Sequence, residues 1–319
     1  MVKVVVGLMG SSPGKGSQTL ATAQQVASFL AVVKQHGVKE IDTARAYNSG
    51  RSEEVLGEVN AHQGFAIATK APAFSPGSLA EEKIIDNCNK SLNAMGQGKV
   101  DLYYLHGPDT ATPLSQQCKA IGTLYKEGKF DRFGISNIGP EAVQEVYDIC
   151  KAQGYPLPTV YQGMYNPVAR KGETTLFPLL RKLGIAFYAY SPVAGGLFAK
   201  PLDQILKPAA GSRFDQMPVF GQMFLKDETM TALRSLAAKC ESTKDESGLS
   251  LSLMRATLRW MRHHSSLGEK DAVILGASTE QQIDASLSAC EEGPLPAEIV
   301  QAFEDLWKEC KDGAPPASF

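Results

Sequence analysis

Short apolar runs alternate with longer amphipathic stretches along the whole chain, and this alternation predicts the elements. The runs at Lys3–Met9, Glu40–Thr43, Phe65–Thr69, Val100–Leu105, Phe130–Ile135, Val160–Gly163, Ile185–Tyr190 and Ala272–Leu275 are rich in Val, Ile, Tyr or Phe and read as strands. Between them, Ser78–Met95, Ser115–Lys126, Pro140–Gln153, Thr174–Leu183 and Glu280–Cys290 carry a helical pattern. Ser78, with Glu81 three residues on, is the expected N-cap of the first of these, and Gly96 its stop. Helical patterns at Ser250–His263 and Ala297–Lys311 read as extras laid on the outside. Eight strand-then-helix units predict an α/β fold, a closed parallel (β/α)8 TIM barrel with extra helices near the C-terminus. An open doubly wound sheet satisfies the same periodicity. No linker or composition shift divides the chain, so residues 1–319 read as a single domain. The Pro- and Gly-rich stretch at 192–221 reads as one long loop inside it, of a length usually tied to function.

Composition narrows the class. With 43% hydrophobic and 21% charged positions, 319 residues can bury a large core, which excludes a disordered chain. The 32 Lys and Arg nearly balance the 34 Asp and Glu, so no nucleic acid or anionic membrane partner is expected. No run of 18 apolar residues occurs, and the apolar start at Met1–Gly7 is too short for a signal peptide. A cytoplasmic protein is the expectation. Its cysteines, at 88, 118, 150, 240, 290 and 310, form no C-x-x-C pair and read as reduced, mostly buried thiols.

Several motifs fail on their own chemistry. Gly10–Ser17 looks like a phosphate-binding loop, but Met9 and Gly16 occupy the positions that need Gly and Ser or Thr. No G-x-G-x-x-G enters a helix, which counts against a Rossmann dinucleotide site. No H-E-x-x-H occurs, and the adjacent His263 and His264 would point ~100° apart on a helix, so no metal is expected. What remains is a set of ionisable residues at strand ends. Asp42 closes the second strand, Lys70 the third and His106 the fourth, with Tyr47 in the loop after Asp42. In a barrel all these ends share one face. A phenol of pKa ~10 is a poor acid at neutral pH. A nearby ammonium stabilises its phenolate, a carboxylate holds the ammonium, and a neutral imidazole can polarise a carbonyl.

The segments running from Asp42 through Tyr47 to Glu53, Ala68 to Lys70 and Asp101 to His106 resemble the tetrad motifs of the aldo-keto reductases, in that family's order. The likeness continues through Gly134–Asn137, Tyr161–Asn166, Tyr188–Pro192 and Leu275–Ser278, and so covers nearly the whole chain. Leu258–Leu267 and Ala194–Leu197 are similar to the aflatoxin-aldehyde reductase branch. The resemblance implies a (β/α)8 fold, reduction of a small-molecule carbonyl and a nicotinamide cofactor, NADPH/NADP+. It implies Tyr47 as general acid, Lys70 and Asp42 as its tuning pair and His106 as the carbonyl-orienting group. It matches Ser136, Asn137 and Gln162 to the nicotinamide carboxamide, Tyr190 to a stack on its ring and Ser191 to the pyrophosphate.

At the adenosine end it matches Ser278, Thr279 and Gln282, while Ser286 stands where asparagine is frequent. Ala277 and Gln282 replace a basic pair common in the family, and Arg213 is the expected cation for the 2′-phosphate. A homodimer is a further implication of the resemblance. The competing reading is a nicotinamide-binding sensor akin to channel β subunits, which share this fold. Loops 10–18, 107–113 and 192–226 are expected to line the substrate pocket, with Phe74, Phe214, Phe220 and Phe224 as an apolar wall.

Overall fold

The computed structural model describes residues 1–9, 19–208, 213–244, 248 and 250–318, without the side chains of Arg213 and Gln216. The Gly10–Ser17 segment, Gly211 and Ser212 lie outside the described residues. Parallel strands close a barrel: β1 Lys3–Gly7, β2 Glu40–Asp42, β3 Ala66–Ala71, β4 Val100–Leu105, β5 Phe130–Ser136, β6 Pro158–Met164, β7 Ala186–Tyr190 and β8 Ala272–Gly276. Each strand pairs with the next, and β8 returns to β1 in register from Lys3↔Ala272 to Gly7↔Gly276. Closure rules out the open sheet.

Both faces of these strands are buried, which is why they read as continuous apolar runs. Val5, Ala68, Leu102, Tyr104, Val160, Tyr188 and Ile274 fill the inside of the barrel. Their alternates, such as Tyr103, Leu105, Phe133, Ile135 and Phe187, join the larger core shared with the helices. At the N-terminal end a polar network closes the interior. Lys3 Nζ donates to Glu40 Oε1 (2.7 Å) and Tyr188 Oη (2.6 Å), and Arg132 pairs with Asp101 and Glu40.

The helices are α1 Ala23–Gln35, α2 Arg51–Glu58, α3 Glu81–Ala94, α4 Leu114–Lys126, α5 Pro140–Gln153 and α6 Gly172–Leu183. After β7 come the short α7 Leu202–Leu206, α8 Arg213–Gln216 and α9 Val219–Phe224, followed by α10 Asp227–Ser242 and α11 Leu253–His263. After β8 come α12 Glu280–Glu291 and α13 Ala297–Cys310.

Four expectations need correction. First, α11 is no extra: it packs on α12, which packs on α1, so it takes the seventh place in the outer ring. The added pair is α10 and α13, packed on each other. Second, the stretch at 192–221 is not one loop, because a 3-10 turn at Ala194–Gly196 and α7 to α9 lie in it. Third, Ser78 does not cap α3, whose cap position is Ala80. The preceding turn is held instead by Asp109, which accepts from the backbone N–H groups of Gly77 (2.9 Å) and Leu79 (2.8 Å). Fourth, α1, α2 and α10 add to the expected helices. In α1, Val26, Phe29, Leu30 and Val33 make a full apolar stripe, with Thr22 and Gln25 in a reciprocal capping box. The buried face of α2 includes Ser52 and Glu53, so its sequence carries little apolar signal.

All the cysteines are free and buried. Among the described residues no helix is long and apolar enough to cross a membrane.

Candidate functional site

Parallel pairing sets the C-terminal ends of all the strands on one face, and the expected site residues gather there. Asp42, at the end of β2, is buried. Its Oδ1 accepts from Lys70 Nζ (2.5 Å), and its Oδ2 accepts from Gln162 Nε2 (2.8 Å), which reaches it from β6 across the barrel interior. Lys70, on β3, is fully buried and also donates to the Thr43 carbonyl (2.7 Å). Burial alone would pull its pKa down. The Asp42 charge, and then Tyr47, outweigh that, so the ammonium titrates above the ordinary lysine value of 10.5. It is a fixed positive charge at any working pH.

Tyr47 opens a 3-10 turn after β2, half-buried, with the Lys70 ammonium 5.1 Å from its ring centroid. Asn48 and Ser49 follow at φ 49° and 54°, left-handed values that only a well-held turn tolerates in residues with a Cβ. What holds the turn is a buried ion pair the sequence did not single out. Glu53 of α2 is fully buried; Oε2 accepts from Arg45 Nη1 (2.7 Å) and Oε1 from the Thr69 hydroxyl (2.6 Å). Gly50, at φ 92°, passes so close that a Cβ there would fall 2.4 Å from Arg45 Nη2. The spacing of Arg45, Gly50 and Glu53 around Tyr47 was the available signal.

His106 follows β4. Its ring meets Tyr47 edge-on (centroids 5.6 Å apart) and Phe74 likewise (5.7 Å). Burial, with the Lys70 charge added, pushes its pKa down to about 3, so the imidazole is neutral. The fold thus brings the four tetrad candidates together: a phenol beside a buried ammonium, a carboxylate fixing that ammonium, and a neutral imidazole touching the phenol ring.

The expected cofactor residues divide into two groups. Ser136 ends β5 and Asn137 follows it at φ 62°. Asn137 Nδ2 donates to the His106 carbonyl (3.0 Å) and to Ser136 Oγ (2.9 Å), while its Oδ1 accepts from the Tyr190 hydroxyl (2.9 Å). Ser191, at φ 55°, turns the chain after β7, and its carbonyl accepts from Asn166 Nδ2 (3.0 Å). Ser136, Asn137, Tyr190 and Gln162 are tied to the tetrad by these bonds and by the one from Gln162 to Asp42. Ser278, Thr279 and Gln282 stand apart, exposed at the start of α12. There Thr279 Oγ1 accepts from the Gln282 N–H (3.2 Å) and Gln282 Oε1 from the Ser278 N–H (2.9 Å). The side chain of Arg213 lies outside the described residues; the backbone of α8, which it begins, packs on the Ala194–Gly196 turn after Ser191.

The expected aromatic wall splits. Phe214, Phe220 and Phe224 are buried and pack edge-on against one another, a loop core in place of a pocket wall. Phe74 alone stays open, 53% exposed beside His106 at φ 69°, its ring lying where a Cβ on Gly107 would fall 2.3 Å away.

With this geometry in place, comparison with known proteins gives a consistent picture. A profile described as "Aldo/keto reductase family" matches residues 3–308. The chain is 39% identical to aflatoxin B1 aldehyde reductase member 2 of Rattus norvegicus, over 92% of this chain and 82% of that one. It is 38% identical to the Homo sapiens protein of the same name, over 96% and 86%. An aldo-keto reductase of Pseudocercospora fijiensis is 37% identical, over 90% of this chain and 99% of its own.

Proposed function

The chain belongs to the aldo/keto reductase family, a family of NAD(P)-dependent oxidoreductases, and from that premise we propose that it reduces aldehydes, and ketones secondarily, to alcohols with NADPH on a single barrel domain spanning 1–319. One observation carries the reading: the Tyr47 ring, the Lys70 ammonium and the His106 ring meet at the strand ends above the buried Asp42. When bound, the nicotinamide cofactor supplies the hydride. The donor set fits its carboxamide: a hydroxyl and two amides, Ser136, Asn137 and Gln162, with Asn137 donating to Ser136 and the His106 carbonyl and Gln162 donating to Asp42. A ring held by them would sit beside the tetrad, and Tyr190, whose hydroxyl donates to Asn137, is the residue that would stack on it.

The chain's own residues then divide the work. Neutral His106 offers an N–H that orients and polarises the substrate carbonyl. Tyr47 gives its proton to the carbonyl oxygen as the carbon is reduced, and the adjacent Lys70 charge stabilises the phenolate left behind. Asp42 keeps that ammonium in place through Oδ1, and Gln162 keeps Asp42 in place through Oδ2. Exposed Phe74 gives the carbonyl's substituent an apolar edge to lie against, which favours aromatic or long-chain substrates. The likeness to aflatoxin B1 aldehyde reductases agrees with a bulky aldehyde as substrate.

The test follows NADPH absorbance with 4-nitrobenzaldehyde for the wild-type protein and Tyr47→Phe. The wild type turns over, and the variant, which loses only the donated proton, falls by about 10²–10⁴-fold with cofactor affinity kept. Retained activity in Tyr47→Phe refutes the acid assignment. Folded, cofactor-loaded wild type without turnover on a carbonyl panel favours a nicotinamide sensor.

A further inference from the structure

Lys70 stands between two aromatic faces. The Tyr47 ring lies on its open side, and inside the barrel the Tyr104 ring centroid lies 5.5 Å from Nζ. Tyr104 is the register neighbour of Lys70 on one side and of Gly134 on the other. It is fully buried, and its ring fills the space that a side chain at 134 would need: a Cβ on Gly134 would fall 2.3 Å from Tyr104 Cδ1. In sequence, Tyr104 and Gly134 stand out only as members of the motif segments Asp101–His106 and Gly134–Asn137, with no role of their own.

The Tyr104 hydroxyl is buried without a hydrogen bond of good geometry, the Gln162 amide being its polar neighbour. Burial first, and then the Asp42 charge, hold this phenol in its neutral form. Tyr104 therefore does not exchange a proton in the reaction. Its ring is what remains to act. A cation over an aromatic face is drawn to the ring, more strongly where water is absent. Two of the ammonium's anchors, Asp42 Oδ1 and the Thr43 carbonyl, belong to the end of β2 and its loop, whereas Tyr104 meets it from β4, the strand paired with β3 on its other side.

Resting on the reaction proposed above, we infer that Tyr104 is a positioning residue whose ring is the floor that holds the Lys70 ammonium against Tyr47, and that Gly134 is glycine so that this ring can occupy its place. An aliphatic side chain at 104 offers no such attraction and lets the lysine stem settle into the barrel. A larger residue at 134 moves the ring away.

The test compares wild type with Tyr104→Leu, Tyr104→Phe and Gly134→Ala. Steady-state kinetics use NADPH and 4-nitrobenzaldehyde. In the cofactor-free protein, the ε-methylene resonances of Lys70 report the ring directly. Tyr104→Leu is expected to lower kcat roughly tenfold, with both KM values within about twofold, and to move the Lys70 resonances as the ring current disappears. Tyr104→Phe, which keeps the ring, recovers most of both effects, and Gly134→Ala follows Tyr104→Leu. Should Tyr104→Leu fail to fold, Tyr104→Met takes its place. Wild-type kcat in the Leu variant, a Phe variant as impaired as Leu, or unmoved Lys70 resonances each overturn the inference. A wild-type protein without turnover defeats the proposed reaction instead, and the resonance comparison still decides the positioning role.

Discussion

Replacing Lys70 by Met separates what the ammonium does for stability from what it does for chemistry. Lys70 is fully buried and Asp42 is 3% exposed, with Nζ 2.5 Å from Oδ1. Met fills most of the same volume but leaves a buried carboxylate with Gln162 as its remaining side-chain donor among the described residues. Breaking a buried pair by removing one partner costs about 3–5 kcal/mol, a large part of the ~5–15 kcal/mol that holds a typical domain folded. Replacing both partners by neutral groups costs far less, because no charge is stranded. Urea denaturation at pH 7 should therefore show Lys70→Met strongly destabilised and Asp42→Asn/Lys70→Met recovering at least half of the loss. Activity should not recover: both stay about 10²–10⁴-fold below wild type, and adding Tyr47→Phe changes little, since the groups act as a unit.

The pH dependence of that gap has a definite sign. The folded-state pKa of Lys70 is raised, so its contribution to stability is full below the ordinary value of 10.5 and fades as pH rises through the folded value. On the alkaline side, the gap between wild type and Lys70→Met should narrow only above that range. A double variant as unstable as Lys70→Met would refute the stranded-charge argument. An active Lys70→Met would refute the tetrad itself.

Two further predictions address His106 and cofactor choice. The folded protein refuses the His106 proton until about pH 3, whereas the unfolded chain takes it near 6.5, so wild-type stability should fall as pH drops below 6.5. His106→Gln should remove that part of the slope in urea midpoints taken across the range, and parallel slopes would contradict the buried neutral imidazole. Arg213→Ala should weaken NADPH binding by ~1–3 kcal/mol in a fluorescence titration and leave NADH nearly untouched. Equal losses for both cofactors would place Arg213 on the shared pyrophosphate.

Much of this protein is written locally. A strand buried on both faces is mostly apolar, so the barrel strands stand out in sequence, and β4 at Val100–Leu105 agrees to the residue although it carries Asp101 near its start. Asp42, Lys70 and His106 are legible for a related reason: each stands at or beside the C-terminal end of an apolar run, where a polar residue interrupts the pattern. Other features depend on distance through space. The ring place of α11, the Asp109 clasp that leaves Ser78 without a capping role, and the packing of Phe214, Phe220 and Phe224 on themselves all follow from neighbours brought by the closed barrel. So do the bond from Gln162 to Asp42, 120 positions apart, and the seating of Tyr104 over Gly134 beneath Lys70. Strand periodicity states which face a side chain takes. Which side chains then meet across the interior is decided by closure and register, because a barrel joins residues whose separation along the chain carries no information about their separation in space.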